Sequence, residues 1–127
     1  DSGGPGKRRG GLGVVREYVF QADDIALTHR GERHYTAAAG SIGGGPGAMS
    51  TSRLVRADGR VEDIPSKIFT RVSRGDRLIV ETAGGGGYAA AREREPERVA
   101  ADVADGKVSA ERAAADYGQP NLRSAAE

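Results

Sequence analysis

The sequence predicts a mainly β domain, sandwich- or barrel-like with short antiparallel strands, followed by two short C-terminal α-helices. Three observations predict it. Short alternating or β-branched stretches recur at intervals of about 8–12 residues between positions 14 and 82. Asp58-Gly59 is the strongest two-residue hairpin signal in the chain. Past the last glycine cluster the apolar spacing changes, with Val99 and Val103 four apart on one helical face.

In order, Val15, Glu17 and Val19 alternate with Arg16, Tyr18 and Phe20, which predicts a strand over 14–21. A turn at Asp23-Asp24 leads to a second strand over 25–28. The third covers 51–57, centred on Leu54 and Val55, and the Asp58-Gly59 turn returns the chain into a fourth at Arg60-Val61. The β-branched run 68–72 is the fifth, Gly75-Asp76 turns it, and 77–82 is the sixth. A helix is predicted over 95–105, with Pro96 in its first turn and Gly106 closing it. A second runs from Ser109 as N-cap to Tyr117, stopped by Gly118. The alternating charges of 92–98 read as a solvated helix start. The division expected is 1–92 as a β-rich domain with glycine loops, 93–118 as a helical pair docked on it, and 119–127 as a flexible tail.

The 127 residues fit one domain. Its hydrophobic fraction is only 37%, with 20 glycines, so the core is lean and a neighbour is expected to complete it. A net charge of +1 leaves no basic stripe for nucleic acid and no polybasic patch for a membrane. With no cysteine, thiolate catalysis, disulfides and Cys-based zinc sites are excluded, which fits a cytoplasmic protein. No apolar run approaches the roughly 20 residues of a membrane helix. The start, Asp1-Ser2-Gly3-Gly4, has no signal-peptide character and reads as that of a fragment or a maturation product.

The glycines cluster at 3–13, at 43–47 and at 84–87. A phosphate loop would need a Lys-Ser/Thr pair after the glycines; Gly44-Gly45-Pro46-Gly47 lacks it, and Pro46 removes an amide donor. Tight turns and close chain packing are the reading preferred. His29 and His34 flank Glu32 without a recognised metal spacing and read as surface polar residues. Lys67, at the start of a strand, is a candidate for holding an anionic substrate or an interface carboxylate, against an internal salt bridge. Arg33 is a candidate anchor through its planar guanidinium. Asp76 is expected to shape its turn. The Gly-x-Ser-x-Gly nucleophile elbow is absent, and no general acid/base pair is evident, so the catalytic residues are unknown.

Five ordered segments resemble the hydantoinase B/oxoprolinase family. They are Asp1–Gly13, the Gly43-Gly44-Gly45-Pro46-Gly47 loop, Pro65-Ser66-Lys67 with Gly75-Asp76-Arg77-Leu78, and Thr82 followed by Gly84-Gly85-Gly86-Gly87-Tyr88. The fifth is the closing pattern of 99–117. Two departures stand out. Ala89-Ala90-Ala91 replaces the family's Gly-Asp-Pro, and Tyr35-Thr36-Ala37-Ala38-Ala39 replaces a stretch with prolines and a Trp. The resemblance implies the C-terminal part of a B-type subunit in an ATP-dependent complex. Such complexes hydrolyse cyclic amides or carboxylate ketones. Its implied partners are an actin-like A-type subunit and the remainder of the B-type subunit. ATP and a divalent metal are then expected in the rest of the complex, with no cofactor on this chain. The glycine loops, Gly44, Gly45, Gly85 and Gly86 among them, are candidates for lining subunit or substrate contacts, beside Arg33 and Lys67. The alternative is a non-catalytic assembly module.

Overall fold

A computed structural model describes residues 1–123. Its contacts divide the chain into two compact units, neither continuous in sequence. One comprises Val14–Thr36 and Met49–Ala83, and the other Asp1–Gly13, Ala37–Ala48 and Gly84–Glu127. Composition groups 1–92 together because strands and glycine segments alternate along the chain. Contacts separate them, and the helices fall in the unit of the glycine segments. The part of the expected tail beyond 123 lies outside the described residues; before it, Leu122 packs against the helical core.

The strand unit holds six strands, as the alternation predicts. They are β1 (Val15–Val19), β2 (Ile25–Arg30), β3 (Thr51–Val55), β4 (Val61–Asp63), β5 (Lys67–Val72) and β6 (Arg77–Glu81). All pairings are antiparallel: a four-stranded sheet β1-β6-β3-β4 and a two-stranded sheet β2-β5. Asp58-Gly59 turns the β3–β4 hairpin, with Val55 opposite Val61 and Gly59 at φ 91°, a left-handed angle that favours glycine. Both sheets feed one core. Leu54, Ile64, Val72 and Leu78 are buried, and Phe20, Ile25, Leu27, Ile68 and Val80 pack around them.

Asp76 is buried and shapes its turn. Its carboxylate accepts from the amides of Ala57 at 2.9 Å and Ser73 at 3.1 Å, and from Arg56 at 3.1 Å. Burial alone would raise its pKa. Those donors outweigh burial and hold the carboxyl below the usual range. The other edge of the Arg56 guanidinium grips Glu62 at 2.9 and 3.0 Å.

The glycine unit is built differently. Its three glycine segments lie against one another backbone to backbone. Gly4 N–H donates to Gly85 O at 2.8 Å, Gly45 N–H to Pro5 O at 2.7 Å and Gly87 N–H to Gly45 O at 2.9 Å. A Cβ on Gly4 would stand 2.7 Å from the nitrogen of Gly87, and one on Gly6 as close to that of Tyr88. Side chains are excluded because main chain occupies their place. The helices α1 (Pro96–Ala104) and α2 (Ala110–Tyr117) follow, as predicted. Ser109 Oγ accepts from Arg112 N–H at 3.2 Å, and Gly118 caps the end at φ 72°. Val99, Val103, Val108, Ala113 and Tyr117 form their core.

Asp102 of α1 ties helix to glycine segment, receiving Arg9 at 3.2 Å and Arg94 at 2.8 Å, with all three side chains largely buried. Arg94 thus departs from the solvated character that its charged neighbours suggest. It points inward, and a second donor of its guanidinium reaches Lys7 O at 3.0 Å. Among the described residues, no helix is long and apolar enough to cross a membrane.

Candidate functional site

The strand unit carries the candidate site, around the loop that leaves β2. Ile25, Leu27 and His29 occupy alternate positions and face inward, while Ala26, Thr28 and Arg30 face out. Period two therefore buries His29, which is 7% exposed, although histidine is polar. After Arg30, Gly31 N–H bonds Ser66 O at 2.7 Å, and the loop folds back. A Cβ on Gly31 would meet His34 Cε1 at 2.5 Å and His29 Nε2 at 3.2 Å, so a side chain there would displace the His34 ring. Arg33 takes φ 63°, a left-handed angle that costs a non-glycine residue on the order of 1 kcal/mol. Its carbonyl accepts from Ser50 N–H at 2.9 Å, which holds the strained turn.

His29 and His34 lie edge to face, ring centres 5.8 Å apart, so the strand and loop positions converge. His34 Nε2 is 3.1 Å from Ser52 Oγ, and its Nδ1 is 3.3 Å from the Glu32 carbonyl. With the proton on Nδ1, the ring donates to that carbonyl and accepts from the serine hydroxyl. The pair resembles an activated nucleophile in distance alone. Ser52 is 3% exposed, out of a substrate's reach, so the contact orients His34. No cluster of three or more His, Asp or Glu among the described residues is arranged to hold a metal.

Two depressions adjoin this loop. One, of about 520 Å³, gathers Arg33 and Lys67 with Glu32, His34, Tyr35 and Ser66. The two candidate cations of the sequence thus share one surface. Lys67 lies 3.8 Å from Glu32, both well exposed, a loose pair worth little in stability. The other, of about 620 Å³, is lined by Tyr18, Phe20, Leu27 and Val80, with Arg16 and Arg30 beside them.

Gly44, Gly45, Gly85 and Gly86 belong to the other unit. The amides of Gly44, Gly45 and Gly85 donate to Ser41, Pro5 and Gly11 carbonyls at 3.0, 2.7 and 2.9 Å, and Gly86 abuts the carbonyl of Ala39. Those three amides are spent on backbone carbonyls and are not presented to a phosphate.

His29 gives the site a pH dependence. Burial, and then the charge of His34, lower its pKa below the usual imidazole value. The folded state therefore binds fewer protons than the unfolded chain as pH falls through the ordinary histidine range. Stability is complete above about pH 6.5–7 and declines below it. Urea midpoints measured from pH 7.5 to 5 should fall, and His29→Leu should flatten that fall. An unchanged slope in the variant would assign it to another group.

The profile of the hydantoinase B/oxoprolinase family matches residues 1–91. The chain belongs to that family. It is 35% identical to the B-type subunit of a putative D-/L-hydantoinase of Pseudomonas sp. (strain NS671), over 90% of its own length and 19% of the relative's. An ATP-dependent caprolactamase from Pseudomonas jessenii, known from a crystal structure, superposes with a TM-score of 0.56 at 28% identity. That match covers 93% of this chain and 21% of the other. A nucleotide-free acetone carboxylase has the same fold, with a TM-score of 0.76 at 24% identity, over 92% of this chain and 20% of that one. The chain thus spans about a fifth of the length of each of these three relatives.

Ala89 takes φ 58°, a left-handed angle that favours glycine.

Proposed function

We propose that the chain is one part of an ATP-dependent enzyme complex acting on cyclic amides or on ketones, to which it contributes structure and active-site lining. The observation that carries this reading is the family match over residues 1–91 together with relatives named as a hydantoinase component and an ATP-dependent caprolactamase. An actin-like A-type subunit and the remainder of a B-type subunit would complete the complex, with ATP and a divalent metal held there. The lining falls to the loop after β2. Arg33 and Lys67 offer two cations in one depression, and backbone strain at Arg33 is characteristic of functional loops. An anionic substrate group or an interface carboxylate is the chemistry they suit.

A scaffold without active-site contact is the rival reading, and the absence of an accessible nucleophile–base pair around His34 and Ser52 favours it. One variant separates the two. In the intact enzyme, Lys67→Ala should lower kcat/KM about tenfold, or about 1.4 kcal/mol, while the complex elutes unchanged in gel filtration. Turnover equal to that of the parent would remove Lys67 from the site and leave the scaffold.

A further inference from the structure

The two sheets of the strand unit are unequal. Four strands lie in one and two in the other, and β2 has a neighbour on one side only. The bond from Gly31 N–H to Ser66 O, at 2.7 Å, sets the parity of the β2–β5 ladder. Residues in register alternate between bonded and non-bonded pairs. Ile25, Leu27 and His29 therefore turn their backbone groups toward β5, and Ala26, Thr28 and Arg30 turn theirs to the open edge. No strand among the described residues pairs with that edge.

Beside it opens the crevice of about 620 Å³. One wall is the β2 segment with its following loop. The other is the inward face of β1 and β6, with Tyr18 opposite Leu78 and Arg16 opposite Val80. Tyr18 is 48% exposed, although it stands on the face that the second sheet would cover. Arg16 and Arg30 both border the crevice, and neither side chain has an ion pair or hydrogen bond among the described residues. On the outer face of the small sheet Arg71 pairs with Asp24 at 2.8 Å and Lys67 loosely with Glu32, which leaves Arg30 as the cation beside the open edge. Arg30 is in register with Lys67, and Ala26 with Arg71. An added strand would thus meet apolar side chains and Arg16 on its inner face, and Arg30 on its outer face.

We propose that a partner polypeptide segment, extended and alternating apolar with acidic residues, adds to β2 as a third strand of the small sheet and closes the crevice. Main-chain bonds to Ala26, Thr28 and Arg30 would give affinity, and alternate side chains specificity. Spaced two apart, the acids share the outer face and would pair with Arg30, and the partner would cover an edge that otherwise invites aggregation. The proposal rests on reading the chain as one piece of a larger assembly. Its test needs neither ATP nor turnover, so its failure would leave the enzymatic reading standing.

The probes are two blocked peptides, Val-Glu-Val-Glu-Val-Glu-Val and its counterpart with lysine in place of glutamate. They are titrated into the full chain, with amide exchange followed by NMR. The Glu peptide should slow exchange at Ala26, Thr28 and Arg30 by about tenfold or more and shift the Tyr18 ring signals. It should also raise the thermal midpoint, because it binds the folded state, and this readout serves a marginally stable chain too. The Lys peptide should do neither. The variant Arg30→Glu should reverse the preference. No slowing, or equal slowing by both peptides, overturns the proposal. Slowing at Val15, Glu17 and Val19 instead moves the strand to the free edge of β1. Slowing that grows with protein concentration without peptide assigns the β2 edge to a second copy. Hexanoate shifting Tyr18 as strongly, with the edge amides unchanged, makes the crevice a small-molecule pocket.

Discussion

Asp102→Asn should destabilise the protein by about 3–5 kcal/mol, seen as a thermal midpoint lower by about 10 °C or more. Among the described residues Asp102 is the one carboxylate paired with both Arg9 and Arg94, and the three side chains are between 8 and 15% exposed. The amide keeps the shape but not the charge, so two guanidinium groups stay buried without a counter-charge. Arg94 is poorly placed to absorb the loss, because its Nε is already buried without a partner. Burial of the charges, rather than their attraction, sets the size of the effect. A triple variant, Asp102→Leu with Arg9→Met and Arg94→Met, should therefore recover most of the stability. If Asp102→Asn melts within a degree or two of the parent, the cluster is solvated and the account of it is wrong.

Gly84→Ala should be as damaging, costing above about 3 kcal/mol, while Gly11→Ala should change stability by less than about 0.5 kcal/mol. A Cβ on Gly84 would collide with the backbone carbonyl of Ser2, whereas one on Gly11 meets nothing within 4 Å. The obstacle at Gly84 is main chain held by its own hydrogen bonds, including Ala48 N–H to Ser2 O at 2.8 Å, so it cannot turn aside like a side chain. Denaturant midpoints of the two variants, measured side by side, test this. Equal midpoints would mean that the glycine segments slide apart at little cost.

The elements were legible because their signals are local. Asp58-Gly59 specifies its hairpin, Pro96 and Gly106 bracket α1, and Ser109 with Gly118 brackets α2. Strand ends strayed by a residue or two, since β1 stops at Val19 and β3 at Val55, short of the alternation that continues past them. The grouping of elements was not local. Which glycine segment lies against which depends on residues some 80 positions apart, as with Gly4 and Gly85, and a run of glycines carries no side chain to encode its partner.

At the candidate site, Arg33 and Lys67 stand out by residue type, and the structure gathers them in one depression. His29 is buried where its polarity suggests a surface residue, although its parity with Ile25 and Leu27 is a usable signal. Strand period there outweighs residue polarity. Arg94 escapes a local reading for a like reason: its neighbours Arg92, Glu93 and Glu95 are charged, and nothing nearby in sequence announces Asp102 as its partner.

The backbone-to-backbone construction of the glycine unit also bears on temperature. Apolar surface exposed on unfolding raises the heat capacity, whereas exposed peptide groups lower it. Where glycine lies against glycine, melting uncovers amides and carbonyls and very little hydrocarbon. The unit's helices supply the ordinary apolar share through Val99, Val103 and Tyr117, but its three glycine segments supply almost none. Its stability curve is therefore flatter than that of an equally large hydrophobic core, and it gives up less of its strength on cooling.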